Sequence, residues 1–255
     1  AQSAMRTSLL PGMLHVIKRN VPAESEGIRI FETGKVFIPE GDGAGLPREE
    51  TRLTAVMARK ANPVSWIETR RDVDFFDMKG ELEALLDRLG RTWEQERLPG
   101  PGFRFACVSR GERVAEFGQV PAAALARWDL EGPVFFFDVA MDDLTPVVTE
   151  RFEGVVPYPA VKRDLCLVAG ERVTFGDIRN VLKKRLKHLE SINLFDYYRG
   201  DRVGAGQRSY TFRVTFRSPQ GTLEDAVVDR EIEKALTALG RELGVALRSD
   251  ENGGT

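Results

Sequence analysis

A chain of 255 residues with 42% hydrophobic and 30% charged side chains has the composition of one large or two ordinary globular domains. No apolar run reaches the roughly 20 residues of a membrane span, and no basic-then-apolar leader opens the chain, so neither a membrane role nor export is expected. The formal charge of −2 divides unevenly, with 20 Lys+Arg against 25 Asp+Glu in residues 1–155 and 17 against 12 in residues 156–249, which permits nucleic-acid binding by the second half without requiring it.

In chain order, Pro11 suits the first turn of a helix over residues 11–20. Strands are expected over 28–38 and 53–59, with Gly41, Gly43 and Gly45 in a flexible hairpin tip between them. Asp74 is placed to cap a helix through Leu89, with Phe76, Leu82, Leu85, Leu86 and Leu89 inward. Further strands are expected over 103–109, 114–120 and 134–140, with a short helix over 121–128 and a strand end at Asp142-Asp143. Strands with interspersed helices predict an α+β domain around an antiparallel sheet over residues 1–150. Pro146, Gly154, Pro157 and Pro159 punctuate a linker over 144–159.

The second unit, residues 156–249, has a clearer pattern. Residues 162–168 alternate as a strand, and Thr174 with Asp177 three residues on marks a helix start. Phe175, Ile178, Leu182, Leu186 and Leu189 form one helical face. Strands follow over 191–198 and 209–217, the latter with Tyr210, Phe212, Val214 and Phe216 opposite Thr211, Arg213, Thr215 and Arg217. After Thr222 a second helix presents Val228, Ile232, Leu236, Leu239 and Leu243, with Gly244 placed to stop it. Residues 245–248 close as a strand and 250–255 form a polar tail. The order β-α-β-β-α-β is the ferredoxin-like pattern, in which two helices cover one sheet face and leave the other for a partner.

Little in the sequence suggests catalysis. Cys107 and Cys166 are isolated, which argues against a disulfide scaffold or zinc site and fits a reducing cytoplasm. His15 and His188 are far apart, and no phosphate-binding Gly-x-x-x-x-Gly-Lys-Ser/Thr pattern occurs. Asp72, Asp74 and Asp77 are better explained by helix capping than by magnesium. The basic stretch 183–188 suits a solvated helix face at least as well as RNA contact.

Tyr158-Pro159-Ala160-Val161-Lys162-Arg163-Asp164-Leu165 resembles the opening Y-P-x-x-x-R-D-L of the ferredoxin-fold anticodon-binding family. Leu194-Phe195-Asp196-Tyr197-Tyr198-Arg199-Gly200 resembles its F-D-x-Y-x-G motif, and Ser209 with Phe216-Arg217 resembles its S-x-x-F-x-x-x-F-R segment. Upstream, Met5-Arg6-Thr7-Ser8-Leu9-Leu10-Pro11-Gly12, the strand Phe31-Glu32-Thr33-Gly34-Lys35-Val36-Phe37 and Asp74-Phe75-Phe76-Asp77-Met78-Lys79-Gly80 are similar to the catalytic-like domain of bacterial phenylalanine–tRNA ligase beta subunits.

The resemblance implies the C-terminal part of such a subunit: a class II synthetase-like domain, incomplete at its N-terminus, then an anticodon-binding domain. In that family the alpha subunit carries catalysis; where it reads R-T-H-T-S, this chain reads Arg6-Thr7-Ser8-Leu9-Leu10. No catalytic residue, metal ligand or cofactor is therefore expected here, ATP and magnesium being implied for the whole enzyme. The implied partners are the anticodon stem-loop of tRNA(Phe) and the alpha subunit of an alpha2-beta2 assembly, in the cytoplasm. By the same resemblance Tyr198 stacks on an anticodon base, Asp196 accepts hydrogen bonds from a base edge and Ser209 adds a polar contact, while Arg163, Arg213, Arg217 and Arg248 are candidates for phosphates. The alternative is a ferredoxin-like regulatory or protein-assembly module that binds no RNA.

Overall fold

The computed structural model describes residues 4–20, 26–41, 45–90, 93–100, 102–141, 156–201 and 203–248. Asp142-Asp143, Gly43, the 250–255 tail and the 144–155 part of the expected linker lie outside the described residues. The chain divides into two units, Ala1–Arg151 and Phe152–Thr255.

In the first unit, Pro11 falls in the first turn of α1 (Leu10–Asn20), where its missing N–H has no helical partner to lose. β1 (Ile28–Ile38) and β2 (Arg48–Ala58) pair antiparallel along their whole length. β2 starts earlier than the apolar pattern indicated, because Arg48, Glu50 and Arg52 extend it with charged residues joined in ion pairs. α2 (Phe75–Arg88) opens on a capping box between Asp74 and Asp77. β3 (Glu94–Arg97), β4 (Arg104–Ser109), β5 (Glu112–Gln119), α3 (Ala122–Ala126) and β6 (Val134–Ala140) follow. The six strands form one antiparallel sheet in the order β1-β2-β6-β5-β4-β3.

Both sheet faces carry a core. Phe135 and Phe137 pack with Met78, Leu82 and Leu86 of α2, while Phe136 between them packs with Met13, Leu14 and Ile17 of α1. One expected core position is wrong: Phe76 is 74% exposed, whereas Met78 is fully buried and Phe75 is partly buried against the α2 core. The face through Leu82 and Leu86 runs back to Met78 and Phe75 at spacings of four and three, which leaves Phe76 off it.

The second unit holds β7 (Val161–Gly170), α4 (Phe175–Arg185), β8 (Leu189–Tyr198), β9 (Gln207–Phe216), α5 (Asp225–Leu243) and β10 (Ala246–Leu247). All four strands are antiparallel in the order β10-β7-β9-β8. Thr174 and Asp177 form the capping box of α4. Gly244 ends α5 at φ +65°, a left-handed turn for which glycine has no steric penalty. Leu189, expected on the first helix, instead opens β8 opposite Phe216, because α4 stops at Arg185. Leu165, Leu167, Phe212, Val214 and Phe216 pack against Ile178, Leu182, Val228, Ile232 and Leu239 from the two helices. Each fully buried Phe or Leu there contributes about 1.5–3 kcal/mol. The α+β organisation read from the sequence is thus that of the chain, with the β-α-β-β-α-β order in its second unit.

Candidate nucleic-acid interface

The helices cover the sheet face that carries Phe212 and Val214, so the opposite face of β9 presents Ser209, Thr211 and Arg213. Register places Asp164, Cys166 and Val168 of β7 beside them, since Asp164 pairs with Arg213, Cys166 with Thr211 and Val168 with Ser209. From β8, Asn193 pairs with Arg213, Asp196 with Thr211 and Tyr198 with Ser209. Asp196 and Tyr198 are therefore on the face away from the helices.

Strict alternation would not put them there, because Leu194 shares their parity yet pairs with the core residue Phe212. Two register shifts reconcile the pattern, one between Leu189 and Ser191 and one between Leu194 and Asp196. The second is a bulge at Phe195, an extra residue that flips the rest of the strand. Leu189, Ile192, Leu194 and Tyr197 pair with Phe216, Val214, Phe212 and Tyr210 respectively, so these four remain on the helix-covered side.

Asp196 is exposed, and its side chain makes no hydrogen bond or ion pair with another described residue. Tyr198 is half-buried, and its ring lies over Gly200, where an added Cβ would sit 2.7 Å from the phenol oxygen. Gly200 in the Tyr198-Arg199-Gly200 segment thus makes room for the tyrosine. Ser209 is 1% exposed, with its hydroxyl 3.3 Å from the Cys166 thiol, so it forms the floor of the face and has no open path to a ligand.

The four arginines do not gather on one surface. Arg163 lies on the helix-covered side, 2.5 Å from Asp225 and 3.1 Å from Asp229 of α5. Arg213 is on the open face but holds Asp164 through two bonds of 2.7 Å, and this pairing keeps the Asp164 carboxyl below its usual range. Arg217 is 2.9 Å from Glu190 and donates to the Tyr158 carbonyl at 3.2 Å, tying the end of β9 to the segment before β7. Arg248 follows β10 with its N–H on the Cys166 carbonyl, and its guanidinium has no carboxylate partner among the described residues. His188 of the basic stretch is held 2.7 Å from Glu231. Burial pushes the Glu231 carboxyl up, but His188 and the backbone N–H groups of Lys187 and His188 bring it below its usual range.

Phe195 was not among the expected contact residues. Its ring is 58% exposed and the Arg213 guanidinium stands 5.9 Å from its centre, on the open face. The signal was present in the spacing of the apolar residues on β8: Leu189, Ile192, Leu194 and Tyr197 are separated by three, two and three. Each three marks one extra residue.

In the first unit, the side chains of the upstream motifs bind one another. Arg6 donates to Glu32 at 2.6 Å and to the Lys35 carbonyl at 2.9 Å, crossing Gly34, where any Cβ would collide with its guanidinium. On the same sheet face, Arg52 bonds Glu50 and Asp138, Thr54 bonds Asp138, and Arg104 bonds Glu116.

Residues 157–248 match the ferredoxin-fold anticodon binding domain. With the match of the domain that precedes it in sequence, this places the chain in the class of tRNA-synthetase chains. Residues 1–141 match the phenylalanyl tRNA synthetase beta chain CLM domain, and the chain belongs to that family of beta chains. It is 32% identical over 256 residues to the phenylalanine–tRNA ligase beta subunit of Syntrophotalea carbinolica, covering 97% of this chain and 32% of that protein. The same-named subunits of Aliivibrio fischeri (32% over 253 residues, 96% and 32% covered) and Synechococcus sp. strain JA-3-3Ab (33% over 261 residues, 97% and 32% covered) are similar. The chain thus spans about a third of the length of these curated relatives. A solved pyrrolysyl-tRNA synthetase from Desulfitobacterium hafniense overlaps 55% of this chain and 48% of its own at 18% identity and a TM-score of 0.43, too distant to bear on either unit.

Proposed function

We propose that the second unit binds the anticodon loop of tRNA(Phe) on its open sheet face, as the anticodon-binding part of a phenylalanine–tRNA ligase. Tyr198 stacks on one base, and Asp196 accepts hydrogen bonds from a base edge that carries donors, such as guanine. The observation that carries this reading is the bulge at Phe195, which brings an exposed carboxylate and an aromatic ring to the same uncovered face. Of the four arginines, Arg248 is the one assigned a phosphate, since Arg163, Arg213 and Arg217 are matched by carboxylates. Ser209 supports the face from beneath and does not touch the base.

The first unit contributes assembly with the alpha subunit of the cytoplasmic ligase, which joins phenylalanine to its tRNA with ATP and magnesium. Its Arg6, Arg52 and Arg104 are bonded to Glu32, Asp138 and Glu116, which supports a structural share in that reaction and no catalytic one. Titration of the chain with an anticodon stem-loop over a range of salt tests the reading. Saturable binding that weakens as salt rises is expected. Absence of binding at low salt leaves the regulatory or protein-assembly alternative.

A further inference from the structure

The proposed base contacts do not use the Phe195 ring, yet it is the most exposed aromatic side chain among the described residues of the second unit. Single exposed rings are ordinary on protein surfaces, so what singles out Phe195 is its place beside Asp196 and Tyr198 on the uncovered sheet face. The bulge turns it onto the open face, where the Arg213 guanidinium lies 5.9 Å from its centre. That guanidinium is fixed by two 2.7 Å bonds to Asp164, so it props the ring from one direction and leaves the rest of it open. Phe195 and Tyr198 are three positions apart on β8, with Asp196 and Tyr197 between them. Two rings on one face, with Asp196 between them in sequence, offer separate stacking surfaces to two nucleotides of a splayed strand.

We propose that Phe195, positioned by the Arg213–Asp164 pair, is a second nucleobase platform beside Tyr198. Its ligand class is any unpaired base, because stacking reads a π face and no hydrogen-bond pattern. The inference rests on the RNA reading above and deepens it. Two bases held by stacking on either side of one carboxylate would give a site in which only the nucleotide at Asp196 is selected by its edge, while its neighbour is held whatever its identity.

The test uses the full chain and an anticodon stem-loop carrying 2-aminopurine at one loop position at a time, whose fluorescence falls on stacking. Phe195→Ala and Phe195→Leu are each expected to weaken binding roughly tenfold, to leave its salt dependence unchanged, and to restore fluorescence at a position other than the one restored by Tyr198→Ala. If the parent chain binds and Tyr198→Ala weakens it while both Phe195 variants bind normally, the second platform is wrong and the RNA reading stands. If Phe195 and Tyr198 variants restore the same position, the two-platform arrangement is wrong. If the parent chain does not bind the stem-loop, both readings fall together.

Discussion

Asp196 stands across the strand pair from Thr211, although Leu194, two residues before it, stands across from Phe212 on the opposite sheet face. A strand without a bulge would send both side chains the same way. The one extra residue at Phe195 therefore decides whether the carboxylate and Tyr198 meet solvent or the helices. Everything proposed for this face depends on that register.

The first prediction concerns Gly200. Its backbone lies outside the left-handed region, so alanine is permitted by the chain, but the new methyl would meet the Tyr198 phenol at 2.7 Å. Gly200→Ala should displace the ring and weaken stem-loop binding by up to the roughly 1–3 kcal/mol of a lost stack. The urea unfolding midpoint should stay close to that of the parent chain. Unchanged RNA affinity would show that the ring's position over Gly200 is irrelevant to binding.

A second prediction concerns acid stability of the first unit. Arg71 holds Asp77 through bonds of 2.6 and 2.7 Å, while the Asp74 N–H donates to Asp77 at 2.8 Å. The bond from Arg71 keeps the Asp77 carboxyl below its usual range, against the opposing effect of partial burial. A depressed folded-state pKa means the stabilisation is present above the unfolded value and is lost as pH falls through the folded one. Asp77→Asn should cost about 1 kcal/mol at neutral pH, the scale of a lost helix cap, and the difference should shrink on acidification. Denaturation at pH 7 and in acid measures it; a cost independent of pH would place the effect in packing.

A third prediction is that the chain alone does not activate phenylalanine. Among the described residues on the α1 side of the first sheet, Arg6 is matched by Glu32, Arg52 by Glu50 and Asp138, and Arg104 by Glu116. Phenylalanine-dependent exchange of pyrophosphate into ATP should stay at background. Exchange above background in purified protein would place a working site in this chain.

Much of this architecture was legible in the residues, and the exceptions have physical causes. The alternation of Tyr210, Phe212, Val214 and Phe216 is clean because β9 is central and one of its faces is packed by two helices. The capping residues Thr174 and Asp74 were legible because a cap is a local contact. β3 is not legible in the sequence because Glu94, Gln95, Glu96 and Arg97 are all exposed at a sheet edge and have no apolar face to alternate. The candidate site was legible as residue types at Asp196 and Tyr198, but its face was not, since a bulge is set by pairing with β9. Ser209 and Arg163 looked like ligand contacts from their motif positions; one is closed beneath the face and the other is held by α5.

The central claim is that Tyr198 and Asp196 form an RNA-reading pair on an uncovered sheet face. Its most direct test is the affinity of Tyr198→Ala for the anticodon stem-loop, measured beside its urea unfolding curve, with Asp196→Asn assayed against loops that differ in one base. Tyr198→Ala should weaken binding by about 1–3 kcal/mol while the fold keeps nearly all its stability. Asp196→Asn, which adds a donor where there was only an acceptor, should change which base is preferred. A Tyr198→Ala chain that binds RNA as the parent does, or that unfolds, would make Tyr198 a packing residue and contradict the assignment.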